Sequence, residues 1–454
     1  MHDTIAAIAT GGALAAIGIV RVSGNGAITA AQNVFRAAGG IKLIDAEDRH
    51  MYYGELVARS GATLDMGLCF ISRSPGSYTG QDTVELHCHG SPVVLSGVLN
   101  ALFAVGVRQA LPGEFTKRAF LNGRMDLTQA EAVIDIIEAE TMQAAQNAAG
   151  QLRGAVGARL STVYSSLLDI MAHFHAVIDY PDEDIYEFEM QNHLSSLRSA
   201  EQELSKMLKT HDRGKVLREG VPTVIAGRPN TGKSSLLNAL LGYERAIVAD
   251  MPGTTRDTIE EKVIICGQML RIIDTAGLRE SSDAVEQIGV NRTREAISRA
   301  KIAMIVLDGS EPLKKEDLEV FGTIPHDMPK LAVINKSDLR HVLDASELKG
   351  LAYCRVSALT GSGLDILEAE IKKLLDGPLE PHDGQIITND RQAEAIMRSR
   401  DSVIRSIDAI LESNTPDAVL TDVEAALTAI GEITGATMRD DITSRIFDRF
   451  CVGK

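Results

Sequence analysis

Residues 227–234 read Gly-Arg-Pro-Asn-Thr-Gly-Lys-Ser; they follow the short apolar run Thr223-Val224-Ile225 and open a stretch of helix formers. A glycine-rich turn between a strand and a helix is a phosphate cradle, because glycines let backbone N–H groups close around phosphate oxygens and the helix N-terminus adds partial positive charge. In that reading Lys233 neutralises the β and γ phosphates, Ser234 offers its hydroxyl to magnesium, and Asn230, Thr231, Gly232 and Ser235 complete the loop. Working outward, further short apolar runs at 270–273, 303–307, 331–334 and 353–356 alternate with helical stretches. That rhythm predicts a doubly wound α/β domain over residues 218–377.

Three more motifs follow in the order a GTPase requires. Asp274-Thr275-Ala276-Gly277 sits after a strand, where Asp274 would hold magnesium through water and the Gly277 N–H would sense the γ-phosphate. Asn335-Lys336-Ser337-Asp338 also ends a strand. The Asp338 carboxylate there would accept from both N1–H and the 2-amino group of guanine, a donor pair adenine lacks. Ser357-Ala358-Leu359 fits a turn whose backbone N–H reads the guanine carbonyl. Between the first two motifs, Thr254-Thr255-Arg256-Asp257 supplies a switch loop, with Thr255 completing the magnesium shell. Leu278 stands where many GTPases place a water-orienting glutamine, so catalysis must be supplied by another group.

The rest of the chain frames this domain. At 454 residues it is long enough for two to four folded units. Residues 1–120 mix β-rich and helical segments, an α+β pattern that includes a strand from Ile5. Helix formers dominate 121–217, with Thr128-x-x-Glu131 as a capping box and Tyr180-Pro181-Asp182 as the break, and return over 378–454. The α/β unit is therefore expected to be inserted into one helical domain made of two separated segments. Hydrophobic residues at 44% and charged ones at 24%, with no continuous apolar run of membrane-spanning length, predict a soluble, cytoplasmic chain without membrane attachment. Five cysteines without C-x-x-C spacing argue against disulfides and structural zinc. His87-Cys88-His89 alternates on a strand rather than converging on a metal. A net charge of −16 disfavours a broad electrostatic grip on nucleic acid but leaves room for a local basic patch or a basic partner.

Residues 227–235, 253–257 and 274–280, and above all the terminal Phe450-Cys451-Val452-Gly453-Lys454, resemble the MnmE (TrmE) family of bacterial tRNA-modification GTPases, of the TrmE-Era-EngA-like superfamily. The resemblance runs from Asp3 to Lys454 and implies an N-terminal α+β domain that dimerises and binds a tetrahydrofolate, either the 5-formyl or the 5,10-methylene derivative. It implies a potassium ion held by Asn230, Ala249, Met251 and Thr254, and Glu286 as the catalytic residue positioning the attacking water. Folate contacts carry over to Arg21, Glu85, Arg124 and Lys454. Cys451 is left between a role in the modification step and a structural or partner-facing one. The implied activity is GTP hydrolysis by a homodimer working with the flavoprotein MnmG (GidA), in a heterotetramer or larger complex. Together they would add an aminomethyl or carboxymethylaminomethyl group to the wobble uridine of certain tRNAs at carbon 5. The alternative kept open is a ribosome-assembly GTPase of the Era/EngA type, which lacks that chemistry.

Overall fold

The computed structural model describes residues 3–11, 13–179, 186–243, 261–273, 296–348, 350–375, 384–412, 415–437, 446–447 and 450–453. The chain divides into two compact units, one of Met1–Ile134, Gln151–Leu204 and Glu394–Lys454, the other of Asp135–Gly150 and Ser205–Ala393. No described helix is long and apolar enough to cross a membrane.

The first unit carries a seven-stranded sheet of β1 (Ile5–Ile8), β2 (Ala15–Ser23), β3 (Phe35–Ala37), β4 (Met51–Val57), β5 (Thr63–Ser72), β6 (Thr83–Gly90) and β7 (Arg108–Gln109). Their order is β3-β4-β5-β6-β2-β1-β7. Helices α1 (Ala27–Val34) and α2 (Pro92–Phe103) contribute Ala31, Val34, Leu95 and Leu102 to one core with inward-facing Val20, Val22, Ile71 and Leu86. The alternation of an antiparallel sheet leaves the other face to Ile17, Met51, Tyr53, Met66 and Leu68, all exposed. In chain order helix α3 (Glu114–Leu121) follows, then α4 (Leu127–Glu138), α5 (Met142–Leu152), which falls mostly in the second unit, α6 (Ala155–Asp179) and α7 (Tyr186–Lys209). Buried Val156, Leu160, Val163, Leu167, Ile170 and Phe174 repeat every three or four residues along α6. That helix packs on the last one, whose buried Val419, Val423, Ala426, Ile430 and Ile433 repeat likewise.

Two details of the helical reading need correction. The capping box lies two residues earlier than Thr128-x-x-Glu131: the Gln129 N–H donates to Asp126 Oδ1 and the Asp126 N–H to Gln129 Oε1, both at 2.9 Å. Thr128 is buried inside the helix and donates to the same Asp126 oxygen at 2.7 Å, so aspartate, the stronger cap, takes the position. The helical run also breaks between α5 and α6 at Gly154, whose φ of +89° only glycine adopts readily. Tyr180, Pro181 and Asp182 lie outside the described residues.

The second unit is the α/β layer. After α8 (His211–Glu219), strands β8 (Val221–Ala226), β9 (Glu261–Ile265), β10 (Gln268–Ile273), β11 (Ile302–Asp308), β12 (Lys330–Asn335) and β13 (Tyr353–Arg355) order as β13-β12-β11-β8-β10-β9. All neighbours are parallel except β9, an antiparallel edge strand that the apolar runs did not reveal. Every residue of β11 is buried, as expected where helices cover both faces of a parallel sheet. Helices α9 (Lys233–Tyr243), α10 (Lys315–Thr323) and α11 (Leu364–Leu375) belong to this layer; α12 (Asp390–Leu411) and α13 (Pro416–Thr434) close the chain. Strand order reverses beside β8, so the carboxyl end of β8 is the switch point where such sheets bind ligands.

Candidate functional site

At that switch point, β8 runs into residues 227–232 and then α9. Gly227 (φ +154°) and Gly232 (φ +92°) make the cradle: a Cβ on the first would stand 2.5 Å from the Val306 carbonyl oxygen, and on the second 2.2 Å from Asn335 Nδ2. Asn230 is exposed at the loop tip with φ +63°. The Thr231 hydroxyl donates to the Arg228 carbonyl at 3.0 Å. Lys233 Nζ donates to the carbonyls of Gly227 and Arg228, each at 2.9 Å, and burial lowers its pKa from the usual 10.5. Its charge therefore lies over the phosphate loop. Ser234 and Ser235 are exposed on the first turn of α9, where a hydroxyl meets the positive end of the helix dipole.

The residues expected to read guanine leave the ends of β12 and β13. Asn335, 2% exposed at the end of β12, joins two loops: its Nδ2 donates to the Thr231 carbonyl at 2.9 Å and its Oδ1 accepts from the Ala358 N–H at 3.0 Å. Ser357 is buried and its hydroxyl donates to Asp338 Oδ1 at 2.5 Å, which aims an exposed carboxylate beside the turn of Ala358 and exposed Leu359. Lys336, with φ +64°, places Nζ 2.6 Å from Asp308 Oδ2 at the end of β11. Burial works to raise the Asp308 pKa, but Lys336 and the Ser310 hydroxyl outweigh it and hold the carboxyl below its usual value. Asp308 was not singled out from the sequence; the signal available was a carboxylate ending a wholly apolar strand. Thr254, Thr255, Ala249, Met251, Asp274, Thr275, Ala276, Gly277, Leu278 and Glu286 lie outside the described residues.

A second constellation lies in the first unit. Antiparallel pairing of β2 with β6 puts Arg21 opposite Glu85, and the guanidinium forks onto Glu85 Oε1 at 2.9 Å from Nε and 2.8 Å from Nη2. His87 Nε2 stands 3.4 Å from Glu85 Oε2. The Arg21 guanidinium also sits 5.8 Å from the Tyr78 ring centre and 5.7 Å from that of Phe115, both within cation–π distance. Arg21 Nη1 reaches the Gly453 carbonyl at 3.4 Å, across 432 positions of sequence. The tail is seated there because Val452 bridges Pro112, the Gly113 N–H donates to the Cys451 carbonyl, and Gly453 (φ +106°) passes so close to Ile8 that a Cβ would meet its carbonyl at 2.3 Å. Arg124 is exposed, and its side-chain methylenes lie near Gly80. Lys454 lies outside the described residues. Cys451 is exposed, as is Cys266, whereas burial pushes the Cys69 and Cys354 thiols up to about 12. Tyr78 and Phe115 carried no sequence signal, and His87 was noticed only within His87-Cys88-His89, since only the fold brings the three to Arg21.

Comparison with known proteins addresses the chain as a whole. A family profile described as the MnmE helical domain matches residues 127–451, and one described as the GTP-binding protein TrmE N-terminus matches residues 4–124. The chain is 41% identical over 459 residues to a protein named tRNA modification GTPase MnmE from Natranaerobius thermophilus, with all of both chains covered. It is 41% identical over 460 residues to the protein of that name from Thermoanaerobacter pseudethanolicus, and 42% over 458 residues to that from Symbiobacterium thermophilum, again with full coverage of both chains.

Proposed function

The chain belongs to the MnmE family of tRNA-modification GTPases, and from that premise we propose a potassium-activated GTP hydrolase that acts with the flavoprotein MnmG (GidA) on the wobble uridine of certain tRNAs. GTP hydrolysis in tRNA modification is the family's activity. The observation that carries it here is the Asn335 side chain, which ties the phosphate loop to the guanine-reading turn and so sets both ends of one nucleotide site.

Each residue's part follows from that geometry. Backbone N–H groups around Gly227 and Gly232 bind phosphate oxygens, and Lys233 turns from the Gly227 and Arg228 carbonyls to the β and γ phosphates. Asp338 accepts from the N1–H and 2-amino group of guanine, while the backbone of residues 357–359 reads its carbonyl. The exposed Ser234 hydroxyl and the Asn230 amide oxygen are hard donors suited to magnesium and potassium respectively, with Thr255, and with Ala249, Met251 and Thr254, completing the two sets. When bound, these cations supply the positive charge that offsets charge developing on the phosphates. Glu286 positions the attacking water through a second water, the task Leu278 cannot perform.

The Arg21 constellation is read as the tetrahydrofolate site. An arginine close to two aromatic rings, and the carboxylate paired with it, offer polar edges for an amino-pyrimidine and apolar surface for its ring, while Arg124 and Lys454 suit the folate glutamate. The folate supplies the methylene carbon, and flavin chemistry resides in the partner. Homodimerisation through residues 1–120 is supported by exposed Ile17, Met51, Tyr53, Met66 and Leu68 on one sheet face. The same reading makes residues 121–217 and 378–454 one helical domain around a GTPase domain of 218–377. Its test is hydrolysis by wild type and Glu286→Ala in potassium against sodium buffer, followed by tRNA modification with the flavoprotein. Strong potassium activation abolished by the substitution is expected; equal rates in both salts, or an indifferent Glu286, would remove this catalytic reading.

A further inference from the structure

Between the phosphate loop and α10 lies a set of ion pairs that the nucleotide contacts do not use. The Arg228 guanidinium is bonded to Glu311, and its Nε lies 3.2 Å from Asp317 Oδ1. The Arg228 side chain is only 13% exposed and that of Asp317 only 3%, so that pair is shielded from solvent, whereas the Glu311 side chain is 39% exposed. Asp317 is itself fixed, since its Oδ2 accepts from the Lys314 N–H at the start of α10. Lys314 Nζ stands 2.9 Å from Glu311, which Lys314 and then Arg228 hold below its usual pKa.

The main chain of Arg228 points the other way. Its carbonyl accepts from both Lys233 Nζ and the Thr231 hydroxyl. One residue thus has its carbonyl on the phosphate-binding lysine and its guanidinium on the 308–317 turn, hydrogen-bonded to Glu311 and ion-paired, without a hydrogen bond, with Asp317 of α10. The turn it is locked to starts at Asp308, whose carboxylate holds Lys336 in the loop that bears Asp338.

We propose that Arg228 is a positioning residue for GTP: its ion pairs with Glu311 and Asp317 hold the loop main chain that the Thr231 hydroxyl bonds, and tie the phosphate half of the site to the guanine half through the 308–317 turn. Pinned from the side, the loop meets phosphate with its shape already set, and less binding free energy goes into ordering it. Losing the tether raises the nucleotide concentration needed without slowing the bound complex.

This inference rests on the GTP-binding reading, whose own failure would appear as wild-type protein that binds no guanine nucleotide. The experiment measures the Kd of a fluorescent GDP analogue and the KM and kcat for GTP in the full chain carrying Arg228→Met, Glu311→Gln or Asp317→Asn. Arg228→Met is expected to raise Kd and KM roughly tenfold to thirtyfold with kcat within about threefold. Glu311→Gln and Asp317→Asn should act in the same direction by less, and Arg228→Lys, which keeps the charge but loses the planar guanidinium that faces both carboxylates, should fall between. In the double variant Arg228→Met with Glu311→Gln, the effects on Kd should fall well short of additive. Unchanged Kd in Arg228→Met, with only a lower unfolding temperature, would reduce the network to a structural ion pair and overturn the proposal. Fully additive double variants, or a fall in kcat at unchanged KM, would overturn it as well.

Discussion

The nucleotide site and the Arg21 site are assembled by opposite means. At the nucleotide site each contribution is a short consecutive motif leaving the carboxyl end of a parallel strand, and the sheet order alone lines these ends up, β12 and β13 adjacent and β8 one strand away across β11. At the Arg21 site, single residues from β2, β6, α3 and the loop holding Tyr78 meet a carbonyl from the chain's last few residues. The first is specified locally and joined by one buried asparagine; the second exists only once strand register and a seated tail have been achieved. A local site should fail at a single backbone position. A composite one should fail by degrees.

The sharpest break of that comparison is Gly232→Ala. The new Cβ meets Asn335 Nδ2 on a backbone at φ +92°, so the substitution adds strain of ~1 kcal/mol and disturbs a buried hydrogen bond contributing ~1–3 kcal/mol. Nucleotide affinity should fall by about 100-fold. Titration with labelled GDP checks this, and retention of wild-type affinity would show that the asparagine bridge does not organise the loop.

A smaller effect is expected from Arg21→Met. It removes the fork on Glu85 while keeping bulk between Tyr78 and Phe115, so tetrahydrofolate affinity should fall roughly tenfold to thirtyfold with GTP turnover within about twofold. Calorimetric titration with 5-formyltetrahydrofolate, beside a GTPase assay, separates the two. Loss of GTP turnover would mean that the sites are not independent.

The smallest effect concerns what holds α3, and with it Phe115, in place. Burial works to raise the Glu114 pKa, but bonds from Arg108, the Leu111 N–H and Arg118 outweigh it and hold the carboxyl below 4.5. A carboxyl depressed in the fold contributes stability that is complete above its unfolded value and is lost as pH falls through the folded one. Unfolding temperature should therefore drop on acidification from about pH 5 to about pH 3, and Glu114→Gln should flatten that drop by a few degrees. Identical slopes would remove Glu114 as its source.

How much was legible follows from the same contrast. Residues 227–234, 335–338 and 357–359 could be read because each motif is contiguous, and β8, β10, β11, β12 and β13 because buried parallel strands are plain apolar runs. Edge strand β9, covered on fewer sides, gave a mixed pattern and was missed. The Asp126 cap was read two positions late because Thr128 and Glu131 satisfy the same spacing rule, and only the hydrogen bonds decide between them. Arg21 and Glu85 came from family resemblance; no periodicity distinguishes them from other strand residues. Asp308 and the tether at Arg228 were invisible because their partners are separated by 28 to 89 positions.

The most direct measurement is the nucleotide preference of Asp338→Asn. A carboxylate at this position accepts from the N1–H and 2-amino group of guanine, whereas a carboxamide also offers an N–H suited to the C2 carbonyl of xanthine. If Asp338, aimed by the Ser357 hydroxyl, reads the base, GTP affinity should fall by roughly 100-fold and XTP should become the better ligand. An undiminished preference for GTP would place base recognition elsewhere and contradict the site built around Asn335.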